Sequence, residues 1–181
     1  MGKFIALLRG INVSGQKKIK MSELKILFED ISFTNVETYI QSGNVLFLSD
    51  LNDKKIIRER LEKKIESKFG YQVQVIIKTP DELKYALNYN PFLRDKNNDF
   101  DRLYFTFLSE KPSAINIRKL REFEYPPEEY IIDGDMIYLL FPNGYGKAKM
   151  NNNFFEKKLN VFATTRNYKT VKTLFEMTKS N

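Results

Sequence analysis

The spacing of hydrophobic residues predicts alternating strands and helices along the whole chain. In residues 53–69, for example, Ile56, Ile57, Leu61 and Ile65 share one face of an amphipathic helix. Short apolar runs between turn-forming residues indicate strands. Strands are predicted at residues 4–9, 36–40, 45–48, 73–77, 103–108, 130–133, 136–141 and 161–164. Helices are predicted at residues 21–30, 53–69, 80–87, 112–121, 151–159 and 168–178.

The order of these elements is β-α-β-β-α-β in each half of the chain. This order is typical of ferredoxin-like domains, so we predict an α+β fold with two antiparallel sheets, each of strand order 4-1-3-2. The first subdomain is predicted at residues 1–78. The second, at 79–181, adds a connecting helix and a C-terminal helix. The duplication is one of pattern only, since no residue-level repeat accompanies it.

Three predicted strands are nearly continuous apolar runs: FIALL, LYFTFL and MIYLLF. A sheet with one solvated face would alternate apolar and polar residues, so both faces of these sheets are expected to be covered. RNA-recognition modules instead need an open face with exposed aromatic residues. Tyr104 and Tyr138 are therefore expected in or near the core rather than as stacking platforms for bases.

The chain carries 30 basic and 23 acidic residues among its 181, a formal net charge of +7. This surplus favours polyanionic partners, either a nucleotide or a nucleic acid bound through basic loops. The alternative is that the charge serves solubility alone. The oligomeric state is left open.

The chain contains no histidine and no cysteine. Ser-His and Cys-His catalysis within the chain is therefore excluded, and no metal site is expected. No cofactor is indicated. The first residues do not form a signal peptide, and no apolar run is long enough to span a membrane. A cytoplasmic protein without a membrane partner is expected.

Polar residues are predicted to converge at one edge of the first sheet, where the first strand ends and the third begins. The residues are Arg9, Gly10, Asn12, Gln41, Ser42 and Asn44. One hypothesis is a polar ligand site in which Arg9 holds an anion. The alternative is that Asn12, Ser42 and Asn44 bind backbone groups and so stabilise two turns.

The same geometry predicts a second convergence around the glycine loop of residues 143–146, in the stretch NGYGKAKMNNNFF. Arg102 begins the neighbouring strand, and a helix begins soon after the loop, where backbone N–H groups suit an anion. The loop lacks the GxxxxGK[ST] pattern of a P-loop, so it is either an anion site or a tight turn with solvated lysines. The candidate ligands are Gly144, Gly146, Lys147, Lys149, Arg166 and Asn167.

Four ordered motifs resemble the bacterial domain-of-unknown-function family 1697. They are ALLRGINVSG (6–15), TYIQSGNVLF (38–47), NGYGKAKMNNNFFEKKL (143–159) and ATTRNYKTVKTL (163–174). The resemblance implies two intertwined ferredoxin-like subdomains. It implies no established activity, substrate or cofactor. The chain departs from the family pattern at Ala148, where a small hydroxyl residue is common, and at Tyr168, where Trp is common.

Three functions remain open from the sequence. The first is a binding module for a phosphate-bearing ligand. The second is a structural or interaction protein whose motifs hold its halves together. The third is an enzyme without His or Cys chemistry, in which Arg9 and Arg166 bind charge and only Glu156 and Tyr145 could act as a base.

Overall fold

The computed structural model describes residues 1–13, 15–95 and 99–180, and within them it contains eight strands and six α-helices. The strands are β1 Gly2–Leu8, β2 Thr34–Tyr39, β3 Asn44–Ser49, β4 Val75–Lys78, β5 Leu103–Leu108, β6 Glu129–Asp133, β7 Met136–Leu140 and β8 Ala163–Asn167. The helices are α1 Met21–Asp30, α2 Lys54–Phe69, α3 Pro80–Asn88, α4 Ala114–Leu120, α5 Asn152–Leu159 and α6 Tyr168–Met177. Short 3-10 helices lie at Pro91–Arg94, Phe100–Arg102 and Tyr145–Lys147.

The eight strands form two antiparallel four-stranded sheets with equivalent topology. The strand order is β2-β3-β1-β4 in the first sheet and β6-β7-β5-β8 in the second. In each sheet the first and third strands of the half pair at the centre, as a ferredoxin-like fold requires. The predicted α+β class, the strand order and the C-terminal helix are therefore confirmed.

By its contacts the chain divides into two compact units. The first comprises Met1–Lys84 with Thr173–Asn181, and the second comprises Tyr85–Lys172. Within the first unit, the Lys3 ammonium donates a 2.7 Å hydrogen bond to the Thr178 carbonyl, which attaches the C-terminal segment to β1. The domain boundary that the sequence predicts between residues 78 and 79 stays a prediction.

Helices cover one face of each sheet. In the first unit, buried residues of α1 and α2 pack in one cluster with Ala6, Val45 and Phe47 of the sheet. In the second, Phe155 and Leu159 of α5 pack in a cluster with residues of β5, β7 and β8. Along β1, every residue from Phe4 to Leu8 is buried, so both faces of that strand are covered, as its apolar run predicted.

Most predicted boundaries agree with the structure within a few residues, but the last strand is different. β8 runs through Thr165, Arg166 and Asn167, which the sequence pattern placed after the strand. These polar residues are compatible with a strand because Thr165 Oγ1 lies 2.6 Å from both Thr106 Oγ1 and Asn152 Oδ1. The prediction for α2 also needs one correction, since Ile56 is exposed rather than on the buried face.

Candidate functional site

The first group of predicted ligands lies together where β1 ends and β3 begins, and we name it the Asn12 edge. Its residues are Arg9, Asn12, Gln41, Ser42 and Asn44. The Leu8 backbone N–H donates a 2.8 Å hydrogen bond to the Gly43 carbonyl, which joins the two chain segments. Gly43 has φ +77°, and a Cβ there would lie 2.7 Å from Ile11 Cδ1. The close approach of these segments therefore depends on a glycine.

At the Asn12 edge, the amide side chains bond to the backbone of the two turns. Asn12 Nδ2 donates to the carbonyls of Ile19 and Gln41, and its Oδ1 accepts from the Ile19 N–H, each at 2.9 Å. Asn44, which is fully buried, donates to the Tyr39 carbonyl and to the Ser42 hydroxyl, each at 3.0 Å. These are the hydrogen bonds expected if the polar side chains stabilise the two turns instead of binding a ligand. Arg9 is half-buried beside them.

The second group lies around the glycine loop, whose backbone N–H groups are largely engaged within the protein. The Gly144 N–H donates to the Phe141 carbonyl at 2.9 Å, and the Tyr145 N–H donates to the Tyr104 hydroxyl at 3.3 Å. The N–H groups of Lys147 and Ala148 donate back into the same turn. Much of the hydrogen-bonding capacity that a phosphate would use is therefore taken up by the loop itself.

A carboxylate lies where the glycine loop leads into α5. Glu128 accepts hydrogen bonds from the backbone N–H groups of Lys149 and Met150, at 2.8 and 2.9 Å. Asn151 then caps the helix by accepting from the Phe154 N–H at 3.2 Å. The sequence pattern around Glu128 predicts a solvated side chain at the start of a strand, because Lys149 is 21 positions away and the partners of Glu128 are backbone groups.

Arg102 lies against the glycine loop in the second unit. Its Nη1 is 3.2 Å from the position that a Cβ on Gly144 would occupy, and Gly144 has φ +78°. A side chain at position 144 would therefore strain the backbone and displace the guanidinium. Arg102 also faces Asp99, with Nε and Oδ2 3.9 Å apart, and the two side chains are largely exposed.

An aromatic pair lies at the same end of β5 as Arg102. The rings of Phe100 and Tyr168 are centred 4.9 Å apart, and Phe100 is 54% exposed. The Tyr168 ring also stacks on Phe105 at 6.1 Å, so it is supported by the sheet. We name this surface, formed by Phe100, Arg102, Gly144, Asn167 and Tyr168, the glycine-loop edge.

The other predicted ligands of this group have different partners. Asn167 pairs with Tyr104 in the sheet, and its side chain caps α6 by accepting from the Thr170 N–H at 2.8 Å. Lys147 is exposed within the loop, whereas the Lys149 ammonium lies 5.4 Å from the centre of the Tyr125 ring. Gly146 is exposed and lies within the 3-10 turn.

Arg166 differs from the other basic candidates because it is only 7% exposed. Its Nη1 donates to the Thr164 hydroxyl at 2.8 Å and to the Thr165 carbonyl at 2.9 Å. Its pairing with Phe105 in the sheet places it within β8. A side chain held in this way is engaged within the protein.

The two tyrosines that were weighed as stacking platforms have different environments. Tyr138 is 1% exposed, and burial raises the pKa of its hydroxyl. Tyr104 is half-buried against Phe141 and Tyr145. The prediction that both belong to the core or its margin is confirmed. The exposed aromatic residue at this edge is Phe100, which follows a polar run with no hydrophobic periodicity, so the sequence offered no signal for it.

Among the residues that the structure describes, no cluster of three or more acidic side chains could hold a metal ion. Within the same ranges, every helix is too short or too polar to cross a membrane. The polar stretch KNNDFDR (96–102) is predicted to be a loop because it lacks the EF-hand pattern of a cation site, and its residues 96–98 lie outside the described ranges.

Comparisons with known proteins agree with the fold. The family model described as "Protein of unknown function (DUF1697)" matches residues 1–138. The chain is similar to a solved structure, that of conserved bacterial protein SP0830 from Streptococcus pneumoniae. The identity is 22%, the TM-score is 0.73 and the match covers 97% of each chain. No curated protein matches the chain. Because the family model spans more than half of its length, this chain belongs to the DUF1697 family of proteins of unknown function.

Proposed function

We propose that the protein is a binding module for a phosphate-bearing ligand, and that a nucleotide binds at the glycine-loop edge. The observations that carry the proposal are the exposed Phe100 ring, which packs on Tyr168, and the exposed guanidinium of Arg102, which is two residues further along the chain and lies against Gly144. Aromatic faces stack on bases, and a guanidinium binds phosphate through two parallel hydrogen bonds. A ligand with a base and a phosphate matches both groups.

The charges at this edge favour a phosphate ligand. Arg102 and Lys147 are exposed cations next to Gly144. Asp99 opposes Arg102, but their 3.9 Å separation at an exposed site makes it a weak partner that a doubly charged phosphate can replace. The net charge of +7 adds long-range attraction for anions.

In this proposal, side chains rather than backbone N–H groups contact the phosphate. The amides of Gly144 and Tyr145 already have internal partners, and Glu128 accepts from the amides of Lys149 and Met150. This arrangement differs from a P-loop, in which successive amides surround the phosphate. The cytoplasm is the proposed location, since free nucleotides are abundant there.

The second candidate function is structural and concerns the Asn12 edge. It is favoured by the hydrogen bonds of Asn12 and Asn44 to backbone groups of the two turns at this edge. Side chains engaged in this way stabilise the ends of β1 and β3. We propose that this edge maintains the first unit and that the glycine-loop edge binds the ligand.

The experiment is calorimetric titration with adenosine monophosphate, adenosine, inorganic phosphate and a short single-stranded DNA. We expect the monophosphate to bind more tightly than adenosine or phosphate alone, because only it contacts both the ring and the guanidinium. Arg102→Ala should weaken this binding by about 10-fold, equivalent to one charge-assisted hydrogen bond. Phe100→Ala should weaken it by a similar factor, about 5- to 100-fold for the loss of one stacking face.

Two matched controls separate the site from general effects. Arg118→Ala removes the same charge from an exposed position of α4, and Phe162→Ala removes an exposed ring before β8, at the other end of that strand. Both should bind the monophosphate within about 2-fold of the unmodified protein. Equal losses in the controls would contradict the assignment. If only DNA bound, and salt steeply weakened that binding, the ligand would be a nucleic acid instead of a nucleotide.

A further inference from the structure

β6 is an edge strand of the second sheet, and half of its peptide groups are directed away from β7. A two-residue turn with Gly134 at φ +61° closes the hairpin, in which Asp133 pairs with Met136. In such a hairpin the closing pair is hydrogen-bonded and the bonding alternates along the strand. The N–H and C=O groups of Tyr130 and Ile132 therefore point outward, where the part of the chain that the structure describes has no further strand.

A groove runs beside this edge. It has a volume of about 440 Å³ and is lined by Arg121, Glu124, Tyr130, Ile131 and Ile132. Ile131 is 40% exposed, although it lies in the middle of the strand. The Tyr130 hydroxyl donates to the Leu120 carbonyl at 3.2 Å, which holds the end of α4 near the strand. Together, an open backbone edge and an apolar side chain are the features that strand addition uses.

The charge around β6 is opposite to that of the whole chain. Residues 121–135 contain six acidic side chains and one basic side chain, whereas the chain as a whole has a net charge of +7. Glu128 is committed to the amides of Lys149 and Met150. The other acidic residues include Glu124 in the groove and Glu129 and Asp133 at the two ends of β6. This surface is therefore complementary to a cationic segment.

Two exposed tyrosines extend the surface at the Asp133 end of β6. The Tyr85 hydroxyl donates a 3.1 Å hydrogen bond to Asp133 Oδ2, and the Tyr85 and Tyr89 rings stack at 4.7 Å. Both rings are exposed. Ile131 and Asp133 lie on the same face of the sheet, because they are two residues apart in the strand. Aromatic faces beside a carboxylate are favourable for a lysine or arginine side chain.

Pairing of β6 with a second copy of itself is disfavoured by charge. The antiparallel register that bonds Tyr130 to Ile132 of a second copy would place Glu129 opposite Asp133 of that copy. Like charges directly opposite each other destabilise a strand pair. A basic strand would instead place a cation opposite each carboxylate.

We propose that the β6 edge binds an extended, basic segment of a partner protein, which adds to the second sheet as a fifth strand. The backbone bonds come from Tyr130 and Ile132, and the selection for lysine or arginine comes from Glu124, Glu129 and Asp133. This interaction surface is separate from the glycine-loop edge, so its test is independent of nucleotide binding.

The experiment is hydrogen exchange of the full chain, followed by NMR, with a short blocked peptide of alternating lysine and valine. We expect the peptide to slow exchange of the Tyr130 and Ile132 amides by at least about 10-fold, as formation of strand hydrogen bonds does. An N-methylated version of the peptide keeps the charges but cannot complete the ladder, so it should not protect these amides. A glutamate–valine peptide should not bind.

Charge-reversal variants test the selectivity. Glu129→Lys and Glu124→Lys should each weaken peptide binding by about 5- to 10-fold at low salt. The matched control is Glu110→Lys, which makes the same change at an exposed position after β5 and should alter binding by less than about 2-fold. Binding without protection of Tyr130 and Ile132, or equal binding of the N-methylated or acidic peptide, would overturn the proposal. Protection without peptide that grows with protein concentration would assign the edge to a second copy and also overturn it.

Discussion

The Glu128 carboxylate accepts a 2.8 Å hydrogen bond from the backbone N–H of Lys149, and a second one from Met150 at 2.9 Å. An internal anion therefore occupies the amides that lead into α5. The glycines and lysines of this stretch resemble those of a phosphate-binding loop. The backbone N–H groups of Lys149 and Met150, however, already donate to a side chain of the protein itself.

Removing this carboxylate should destabilise the protein. We expect Glu128→Ala to lower the free energy of unfolding by about 2–3 kcal/mol, because two amides lose a charged acceptor. The neighbouring Glu129→Ala is the control and should change it by less than about 0.5 kcal/mol. The measurement is urea denaturation in a buffer without phosphate or sulfate.

The same variant offers a second readout. Phosphate should stabilise Glu128→Ala more than the unmodified protein, because an added anion can bind the two freed amides. Thermal unfolding against phosphate concentration measures this difference. If phosphate raised the unfolding temperature of the two proteins equally, the role assigned to Glu128 would be contradicted.

Gly43→Ala should destabilise the first unit far more than Gly10→Ala. Both glycines have a positive φ, at +77° and +68°. A Cβ at position 43 would lie 2.7 Å from Ile11 Cδ1 and 2.8 Å from Leu8 Cβ, whereas a Cβ at position 10 would meet nothing within 4 Å. We expect losses of about 2–4 kcal/mol at 43 and about 1–2 kcal/mol at 10. Equal losses, measured by chemical denaturation, would show that backbone strain alone decides the effect.

Glu82 should make stability depend on pH in the acid range. Burial disfavours its charged form, but Lys78, Lys54 and the Thr79 N–H outweigh burial and lower its pKa below the ordinary value of 4.5. Lys54 and Lys78 donate to its carboxylate at 2.9 and 3.3 Å, and Lys78 is only 2% exposed. Because the pKa is lower in the folded state, this stabilisation is present above pH 4.5 and is lost as the pH falls below it.

Glu82→Gln tests this dependence. At neutral pH it should lower the free energy of unfolding by roughly 3 kcal/mol, since a buried ammonium loses its carboxylate partner. The difference from the unmodified protein should shrink as the pH falls below 4.5 and Glu82 becomes protonated. Glu110→Gln, at an exposed position, should show no such convergence. The measurement is urea denaturation at a series of pH values.

Alanine substitution should destabilise the protein much more at Arg166 than at Arg102. Arg166 is buried with hydrogen bonds to Thr164 and Thr165, so Arg166→Ala should lower the free energy of unfolding by about 3 kcal/mol. Arg102 is exposed beside Gly144, so Arg102→Ala should lower it by less than about 1 kcal/mol while weakening nucleotide binding. If Arg166→Ala abolished nucleotide binding and left stability unchanged, Arg166 would be the ligand anchor instead.

The amino-acid sequence by itself determined the order of elements and the topology of both sheets. Helical spacing in α2 and apolar runs such as that of β1 are local properties of the chain. The hairpin at Asp133 and Gly134 is equally local, since a glycine turn closes it. Once the β-α-β-β-α-β order is known, the ferredoxin-like strand order follows from short, right-handed connections.

Only the tertiary structure decided which polar residues are structural and which are accessible. Glu128 is held by amides far along the chain, and Arg166 is buried in a strand whose polar residues resembled a loop. Phe100 is exposed and packs on Tyr168, a contact of which its local sequence gives no sign. The physical reason is that hydrophobic periodicity reports how a residue relates to its own helix or strand. Hydrogen-bond partners and burial depend on side chains brought together from distant positions.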